Sequence, residues 1–373
     1  MAGRRTSTLD ALVVCPPGLE GMVADELAAL GVSRTRTEKG GVTCRLTTRQ
    51  LYAANLFLRC ATRVLVRVAG FTVRSFADLE RRIGEVEWRD WLGVGVNPRF
   101  RVTTRGSKLW HDGAIEERFV SGLPAGRPGG ADQLVVVRAG RDRFTVSVDS
   151  SGAALHQRGW RQATAKAPLR ESVAAGLLIG SGWDPTTPLV DPMCGSGTIV
   201  IEAALLATGR SPGGDRPFAF QNWPVFEPGT WASVTAESDR RSGAAPPAPP
   251  IAAADRDAGA VGSARSNAER AGVADLIEWR RAPIADLSPP EGAQTDGHLI
   301  TNPPWGGRLS EGDDLRNLYA TLGRVGRERL PGWGLGLLVA DRGLARQVRP
   351  GLAEALHLEL GGRRAWLLTG RLT

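Results

Sequence analysis

The chain has 373 residues, and its 47 lysines and arginines against 39 acids give a net charge of +8 with a pI near 10.1. With 42% hydrophobic and 23% charged residues it has the balance of a globular protein, which excludes a disordered or low-complexity chain, and its length predicts two or three domains. No apolar run is long enough to span a bilayer, and none of the four cysteines stands in a CxxC pair.

Cys15, Cys44, Cys60 and Cys194 are scattered, and His111, His156, His298 and His357 have no ligand spacing, so neither a metal site nor a disulfide framework is expected. The start carries only a short apolar stretch before Pro16-Pro17, which predicts a cytoplasmic protein without a membrane partner. Nothing in the sequence demands more than a monomer. The basic balance suits a polyanionic partner such as RNA, although GC-rich coding also favours arginine.

Residues 11–60 read strand, helix, strand, helix. Ala11–Val14 is apolar, Leu19 to Leu30 has helical spacing with Gly31 at its end, Gly41 to Leu46 is a strand, and Arg49 to Phe57 a helix. Thr62 to Val68 alternates as a strand, Phe76 to Ile83 is a helix, and a strand runs from Arg99 to Arg105. Alternation in that last strand places Arg99 and Arg101 on one side, with Arg105 and Lys108 following, and Phe100 and Val102 on the other. A charged, solvated edge would look the same. Trp110 and His111 interleave with the cations, as a surface that grips phosphates and stacks on bases requires.

The stretches Ser107 to Arg118 and Val146-Ser-Val-Asp-Ser-Ser-Gly-Ala-Ala-Leu-His-Gln-Arg-Gly-Trp160 resemble the ferredoxin-like plus THUMP module of RNA-modifying enzymes. The resemblance implies a ferredoxin-like domain over residues 1–60 and an RNA-binding THUMP domain over 61–150. A basic linker over 151–166 follows. It implies RNA contacts at Arg99, Arg101, Arg105, Lys108, Trp110, His111, Arg158 and Arg161.

In the second half, Leu189-Val190 ends at Asp191, a Gly-Ser-Gly turn follows, and an Ala-rich helix begins at Thr198. A strand, glycine loop and helix let a ligand approach bare backbone at Gly195 and Gly197. A phosphate-binding P-loop would need a lysine, absent between Leu189 and Ala204, and a dinucleotide fingerprint would need a small residue at Val200. Leu299-Ile300-Thr301 reads as a second strand, ending at Asn302-Pro303-Pro304-Trp305. Two prolines there fix φ and donate no hydrogen bond.

Asp191-Pro-Met-Cys-Gly-Ser-Gly-Thr198 resembles the cofactor loop, and Asn302-Pro-Pro-Trp305 the catalytic loop, of S-adenosylmethionine-dependent methyltransferases that act on exocyclic amines of nucleobases. With the front module, the chain is similar to THUMP-containing guanine-N2 RNA methyltransferases. That group includes the methylase half of the bacterial 23S rRNA enzyme and tRNA acceptor-stem enzymes. The fold implied is α/β, with a Rossmann-like class I methyltransferase sheet over residues 167–373 behind the front module.

The resemblance implies S-adenosylmethionine as cofactor, held by Leu169, Arg170, Glu171, Asp191, Met193, Cys194, Gly195, Ser196, Gly197 and Thr198, with Asp255 on the ribose hydroxyls and Asp257 as its alternate. Many relatives place an Asp for the adenine where Pro283 stands here, so Asp286 or a main-chain carbonyl takes that part. Asn302, with a carbonyl of Pro303 or Pro304, accepts the amine hydrogens and Trp305 stacks on the base. Arg170 and Glu171 read equally well as polar positions of an amphipathic helix, and Trp305 as a core aromatic. A covalent pyrimidine methylase is excluded, since Cys194 sits in the glycine loop. Residues 211–250 interrupt the α/β alternation with an aromatic cluster, Phe218 to Phe226, expected to pack on the domain, and with a Pro/Ala loop. Adenine-N6 or cytosine-N4 methylation, and a non-catalytic RNA-binding protein with a vestigial cofactor fold, remain as alternatives.

Overall fold

The computed structural model describes residues 8–123, 130–162, 169–214, 216–306 and 315–373. Lys166, Ala167 and Pro168 of the basic connection, and Gly307 and Arg308 beyond the Asn-Pro-Pro-Trp loop, lie outside them. The chain divides into two units, the first formed by Met1–Cys15, Val23–Leu155 and Asp215–Thr235, the second by Pro16–Met22, His156–Gly214 and Ala236–Thr373.

The first unit holds β1 (Leu9–Val14), α1 (Glu20–Ala29, whose first residues belong to the second unit), β2 (Thr35–Glu38), β3 (Gly41–Leu46), α2 (Thr48–Phe57), β4 (Arg63–Thr72), α3 (Phe76–Gly84), β5 (Asn97–Arg105), α4 (Asp112–Ser121), β6 (Asp132–Gly140) and β7 (Arg143–Asp149). Helix α2 starts where it does because Thr47 and Gln50 close a capping box, the Gln50 amide donating to Thr47 Oγ1 at 3.2 Å and the Thr47 amide to Gln50 Oε1 at 3.0 Å. The strands form one sheet in the order β2-β3-β1-β4-β7-β6-β5. The strands on either side of residue 60 share this sheet: β1 pairs with β4, Ala11 opposite Val66.

Polar groups buried where β7 ends fasten this unit. Asn55 Nδ2 donates to Ser150 Oγ at 2.9 Å, Ser151 Oγ to Asn55 Oδ1 at 2.7 Å, and Ser150 Oγ to the Val64 carbonyl at 2.7 Å. Asp149, wholly buried, meets Arg63. The Asp-Ser-Ser run noted in the sequence is thus a buried clasp between β4, β7 and α2.

The aromatic insertion belongs to this unit rather than to the sheet that follows it in the chain. Phe220 stacks on Tyr52 of α2 at 4.3 Å between ring centroids, Trp231 stands edge-on to both, and Trp223 Nε1 donates to Gln133 Oε1 at 2.8 Å.

The second unit holds α5 (Glu171–Gly180), β8 (Leu189–Asp191), α6 (Thr198–Ala207), the second half of α7 (Pro228–Gly243, whose first half lies in the first unit), β9 (Ile251–Asp255), α8 (Ala258–Arg270), β10 (Ile277–Arg281), β11 (His298–Thr301), α9 (Leu315–Arg329), β12 (Gly334–Val339), α10 (Arg342–Val348), β13 (Ala353–Leu360) and β14 (Arg363–Arg371). Its sheet runs β10-β9-β8-β11-β12-β14-β13, with β8 to β12 parallel and β14 antiparallel between β12 and β13. Strands buried on both faces need unbroken apolar runs, which Ile251-Ala-Ala-Ala254 and Leu335-Gly-Leu-Leu-Val339 supply. From β8 the chain moves outward to β9 and β10, then returns to β11 on the other side of β8. This is the doubly wound order, and its switch point between β8 and β11 is where such sheets take ligands, outside the carboxyl ends of the strands.

Because Phe220 is fully buried among four aromatic rings, Phe220→Ala is expected to cost about 3–5 kcal/mol of stability. Urea unfolding checks it; a loss below about 1 kcal/mol would show that the insertion merely rests on the unit.

Candidate active site

The switch point brings together loops far apart in sequence. Strand β8 delivers Asp191, which is buried and lies beside Thr301 at the end of β11: the Thr301 hydroxyl donates to Asp191 Oδ1 at 2.7 Å, and the Met193 amide donates to the same oxygen at 3.1 Å. Burial pushes the Asp191 carboxyl up to about 7, against the pull of these two donors and with a further rise from the charge of Asp255.

The glycine loop takes positive φ at Gly195 (52°) and Gly197 (81°), the left-handed region that favours glycine. The two serve different ends. A Cβ on Gly197 would sit 2.9 Å from the Cβ of Ala264, so this residue lets the loop lie on α8, whereas a Cβ on Gly195 would meet nothing within 4 Å. The face of Gly195 is open space. The loop is pinned from β9, the Cys194 amide donating to the Ala254 carbonyl at 2.9 Å and the Gly195 amide to Asp255 Oδ2 at 3.0 Å. Asp255 Oδ1 takes the Asp257 amide at 3.0 Å, which leaves each carboxylate oxygen a lone pair for a hydroxyl. Asp257, the alternate, accepts from Gly259 N at 2.8 Å and caps α8. Asp286 stands exposed on a short turn, its amide donating to the Pro283 carbonyl at 3.0 Å.

Ser196, Thr198 and Cys194 are buried within the loop; Asn267 Nδ2 donates to the Ser196 carbonyl at 3.1 Å, and burial holds the Cys194 thiol well above its ordinary range. A neutral thiol is a poor nucleophile. Met193 packs on the core under β8. Arg170 is exposed at the N-cap of α5, and Glu171 is buried in a 3.2 Å ion pair with Arg161, burial raising the Glu171 carboxyl.

Two arginines expected to meet RNA point inward. Arg158 is buried against Glu202 at 3.1 Å, and Arg161 donates to Thr198 Oγ1 at 2.9 Å and to the Leu169 carbonyl besides pairing with Glu171. Desolvation would make an unpaired guanidinium costly there, so carboxylates hold both, and Arg161 braces the start of α6 instead of facing solvent. In the first unit the other cations do lie outward. Arg99, Arg101 and Arg105 share the exposed face of β5, which is an edge strand, and Trp110 is 72% exposed. Arg99 meets Asp132 at 3.2 Å, Lys108 is exposed, and His111 caps α4, its Nδ1 accepting from Ala114 N at 3.1 Å.

The Asn302 loop is held from α9 and β12. Tyr319 of α9 donates its buried hydroxyl to the Pro304 carbonyl at 3.1 Å, and Trp305 Nε1 donates to the Leu338 carbonyl at 3.3 Å. The Arg363 guanidinium lies 5.7 Å over the Trp305 ring. Amid these contacts Asn302 Oδ1 is buried and has no hydrogen-bond partner among the described residues. Thr301, Tyr319 and Arg363 escaped the sequence reading; Thr301 alone carried a signal, as the last strand residue before Asn302.

The residues fit S-adenosylmethionine. An open glycine face, a carboxylate ending β9 with lone pairs to spare, and a buried carboxylate at the loop entrance match its methionine backbone, ribose diol and ammonium. Bound there, it supplies a methyl group activated by sulfonium charge. Among the described residues no group of three His, Cys, Asp or Glu side chains is placed to hold a metal ion, and no helix is long and apolar enough to cross a membrane.

The raised Asp191 carboxyl fixes a pH dependence. The native chain keeps a proton that the unfolded chain releases above about pH 4, so stability present below that pH is lost as pH rises through about 7. The full span is roughly 4 kcal/mol at about 1.4 kcal/mol per pKa unit. Urea unfolding at pH 5 and pH 8 should show the wild type losing more stability than Asp191→Asn, whose amide oxygen can still accept from Thr301; equal losses would contradict it. Gly197→Ala, strained in φ and clashing with Ala264, should cost about 1–3 kcal/mol in the same experiment.

Residues 158–359, more than half of the chain, match the family described as RMKL-like, methyltransferase domain, and residues 10–65 match the RlmL ferredoxin-like domain. The chain is 35% identical over 345 residues to ribosomal RNA large subunit methyltransferase K/L of Marinobacter nauticus. That match takes in 87% of this chain and 47% of the relative, so the chain spans about half the length of the curated protein it matches. Among solved structures, SMU.472 in complex with S-adenosylhomocysteine superposes with a TM-score of 0.88 at 26% identity, covering 98% of each chain. A predicted N6-adenine-specific DNA methylase from Listeria monocytogenes does so with a TM-score of 0.85 at 28% identity, covering 98% of this chain and 99% of that one. With its glycine loop and Asn302 loop meeting at the switch point of a doubly wound sheet, the chain belongs to the RMKL-like family of S-adenosylmethionine-dependent methyltransferases.

Proposed function

We propose that the chain methylates the exocyclic N2 amine of a guanosine in RNA, with large-subunit ribosomal RNA the first substrate to test and tRNA the second. One observation carries the reading: Asn302 Oδ1 is a buried acceptor without a donor among the described residues, at the end of the strand beside the cofactor loop. A buried acceptor left alone costs about 1–3 kcal/mol, which a substrate N–H would recover. An aromatic amine is a weak nucleophile because its lone pair is delocalised into the ring. Two acceptors on its hydrogens turn that lone pair out of conjugation and fix its direction. Asn302 Oδ1 supplies one, and the Pro303 carbonyl the other, since the Pro304 carbonyl already takes the Tyr319 hydroxyl. Alignment of this kind supplies up to roughly 7–11 kcal/mol of barrier lowering. No strong base is required, because the amine is far more acidic once alkylated and gives its proton to solvent. Trp305, held through its indole N–H, offers a ring for the extruded base.

The RNA assignment rests on the relative named as a ribosomal RNA methyltransferase and on the exposed basic face of β5 with Trp110, in a front half that resembles a THUMP module. The name of the Listeria protein favours adenine N6 in DNA as the second reading. Labelled methyl transfer into rRNA, tRNA and DNA from a strain lacking the gene, followed by nucleoside mass spectrometry, decides between them: N2-methylguanosine is expected, and N6-methyladenine in DNA would overturn both base and polymer. Asn302→Ala should lower turnover about 10²–10³-fold while S-adenosylmethionine affinity by calorimetry stays within about twofold. A smaller kinetic loss would remove Asn302 from the catalytic part.

A further inference from the structure

The register of β14 carries a pair of arginines past the end of the parallel sheet. Val339, the last residue of β12, lies opposite Trp366, and β14 begins three residues earlier at Arg363. At about 3.4 Å per residue the β13–β14 hairpin therefore overhangs the carboxyl edge of β12 by roughly 10 Å. Its tip is Gly361-Gly362, with φ of 57° and 80°, and Leu360 pairs with Arg363 directly across it. Such a tight turn holds the first residue of the strand in a fixed direction.

Arg363 and Arg364 are both exposed, and alternation sends them to opposite faces. Only Arg363 lies over the Trp305 ring, at 5.7 Å, and among the described residues no carboxylate pairs with it. Arg342, by contrast, lies over Trp366 at 5.4 Å and is paired with Glu354. Arg342 is committed to the fold; Arg363 keeps its N–H donors for something else. An exposed guanidinium beside an aromatic ring still has its forked N–H donors, which can grip a phosphate with two parallel hydrogen bonds.

We propose that Arg363 is the subsite for the backbone phosphate beside the target nucleotide, an inference that rests on the nucleic-acid methylation proposed above. A base drawn in toward Asn302 and Trp305 leaves its phosphate at the lip of the pocket, where the overhanging hairpin holds this cation. Arg363 touches no reacting atom; it is a positioning residue for the substrate.

Steady-state methylation of an RNA substrate across potassium chloride concentrations, with cofactor saturating, tests this in the wild type, Arg363→Ala, Arg363→Lys and Arg364→Ala. Arg363→Ala should raise KM for RNA about tenfold at low salt with kcat within about twofold. It should also flatten the slope of log KM against log salt by about 0.7, the loss of one phosphate contact to a single strand. Arg363→Lys should keep most of that slope, and Arg364→Ala should match the wild type. An unchanged slope in Arg363→Ala, or a fall in kcat with KM unmoved, overturns the inference and leaves Arg363 as a prop for the Trp305 indole. A wild type that methylates no RNA overturns the functional reading and this subsite together, whereas an active wild type with an unaltered Arg363→Ala slope overturns the subsite alone.

Discussion

The 2.7 Å hydrogen bond from Thr301 to Asp191 joins the two halves of the site. Asp191 lies in the interior of a doubly wound sheet, where a carboxylate is tolerated only with donors, and its donors come from the loop that follows it and from the neighbouring strand. The conformation of the glycine loop and the end of β11 are thereby set by one buried group. Sequence separates Asp191 from Thr301 by 110 residues, yet the parallel pairing of β8 with β11 makes them neighbours. Asn302 follows Thr301 in the chain, so its position is tied to the glycine loop through this side-chain contact.

Legibility in the sequence follows from how local each cause is. The glycine loop was readable because positive φ at Gly195 and Gly197 and the strand–turn–helix sequence are properties of adjacent residues. The strand ending at Thr301 was readable because an apolar run stops at Pro-Pro. Strand β2, Thr-Arg-Thr-Glu with every residue exposed, carries no alternation; it exists because β3 offers it a ladder. Strand β13 is exposed over most of its length and was missed for the same reason. The membership of 216–235 in the first unit was equally hidden, because what binds Phe220 is Tyr52, far away in sequence. Tyr319 and Arg363 reach the catalytic loop only through tertiary structure, and no spacing rule announces them.

Net charge is a blunt guide to which cations face solvent. Of the arginines that give the chain its pI, Arg63, Arg158 and Arg161 answer buried carboxylates, and Arg216 donates to the carbonyls of Ser151, Ala153 and Ala154. These cations belong to the interior and contribute little to the outer field. Two exposed groups of cations lie on the elements described above: the outward face of β5 in the first unit, and Arg363 and Arg364 at the hairpin tip in the second. The same alternation that buries Phe100 and Val102 turns Arg99, Arg101 and Arg105 outward, so one strand serves both the core and the basic face.

The catalytic loop shows where stability has been given up. Proline rings at 303 and 304 remove two backbone donors, Tyr319 fixes a carbonyl, and the Leu338 carbonyl holds the Trp305 indole N–H. A loop so restrained has little freedom left to lose when a base enters, and conformational entropy is the main cost of ordering such a segment. Among the described residues, its Asn302 Oδ1 is a buried side-chain acceptor without a partner. Folding usually satisfies a buried oxygen of this kind with a neighbour. An oxygen left open in a loop so restrained is complementary to a ligand that brings its own N–H, and this is what supports the amine substrate proposed above.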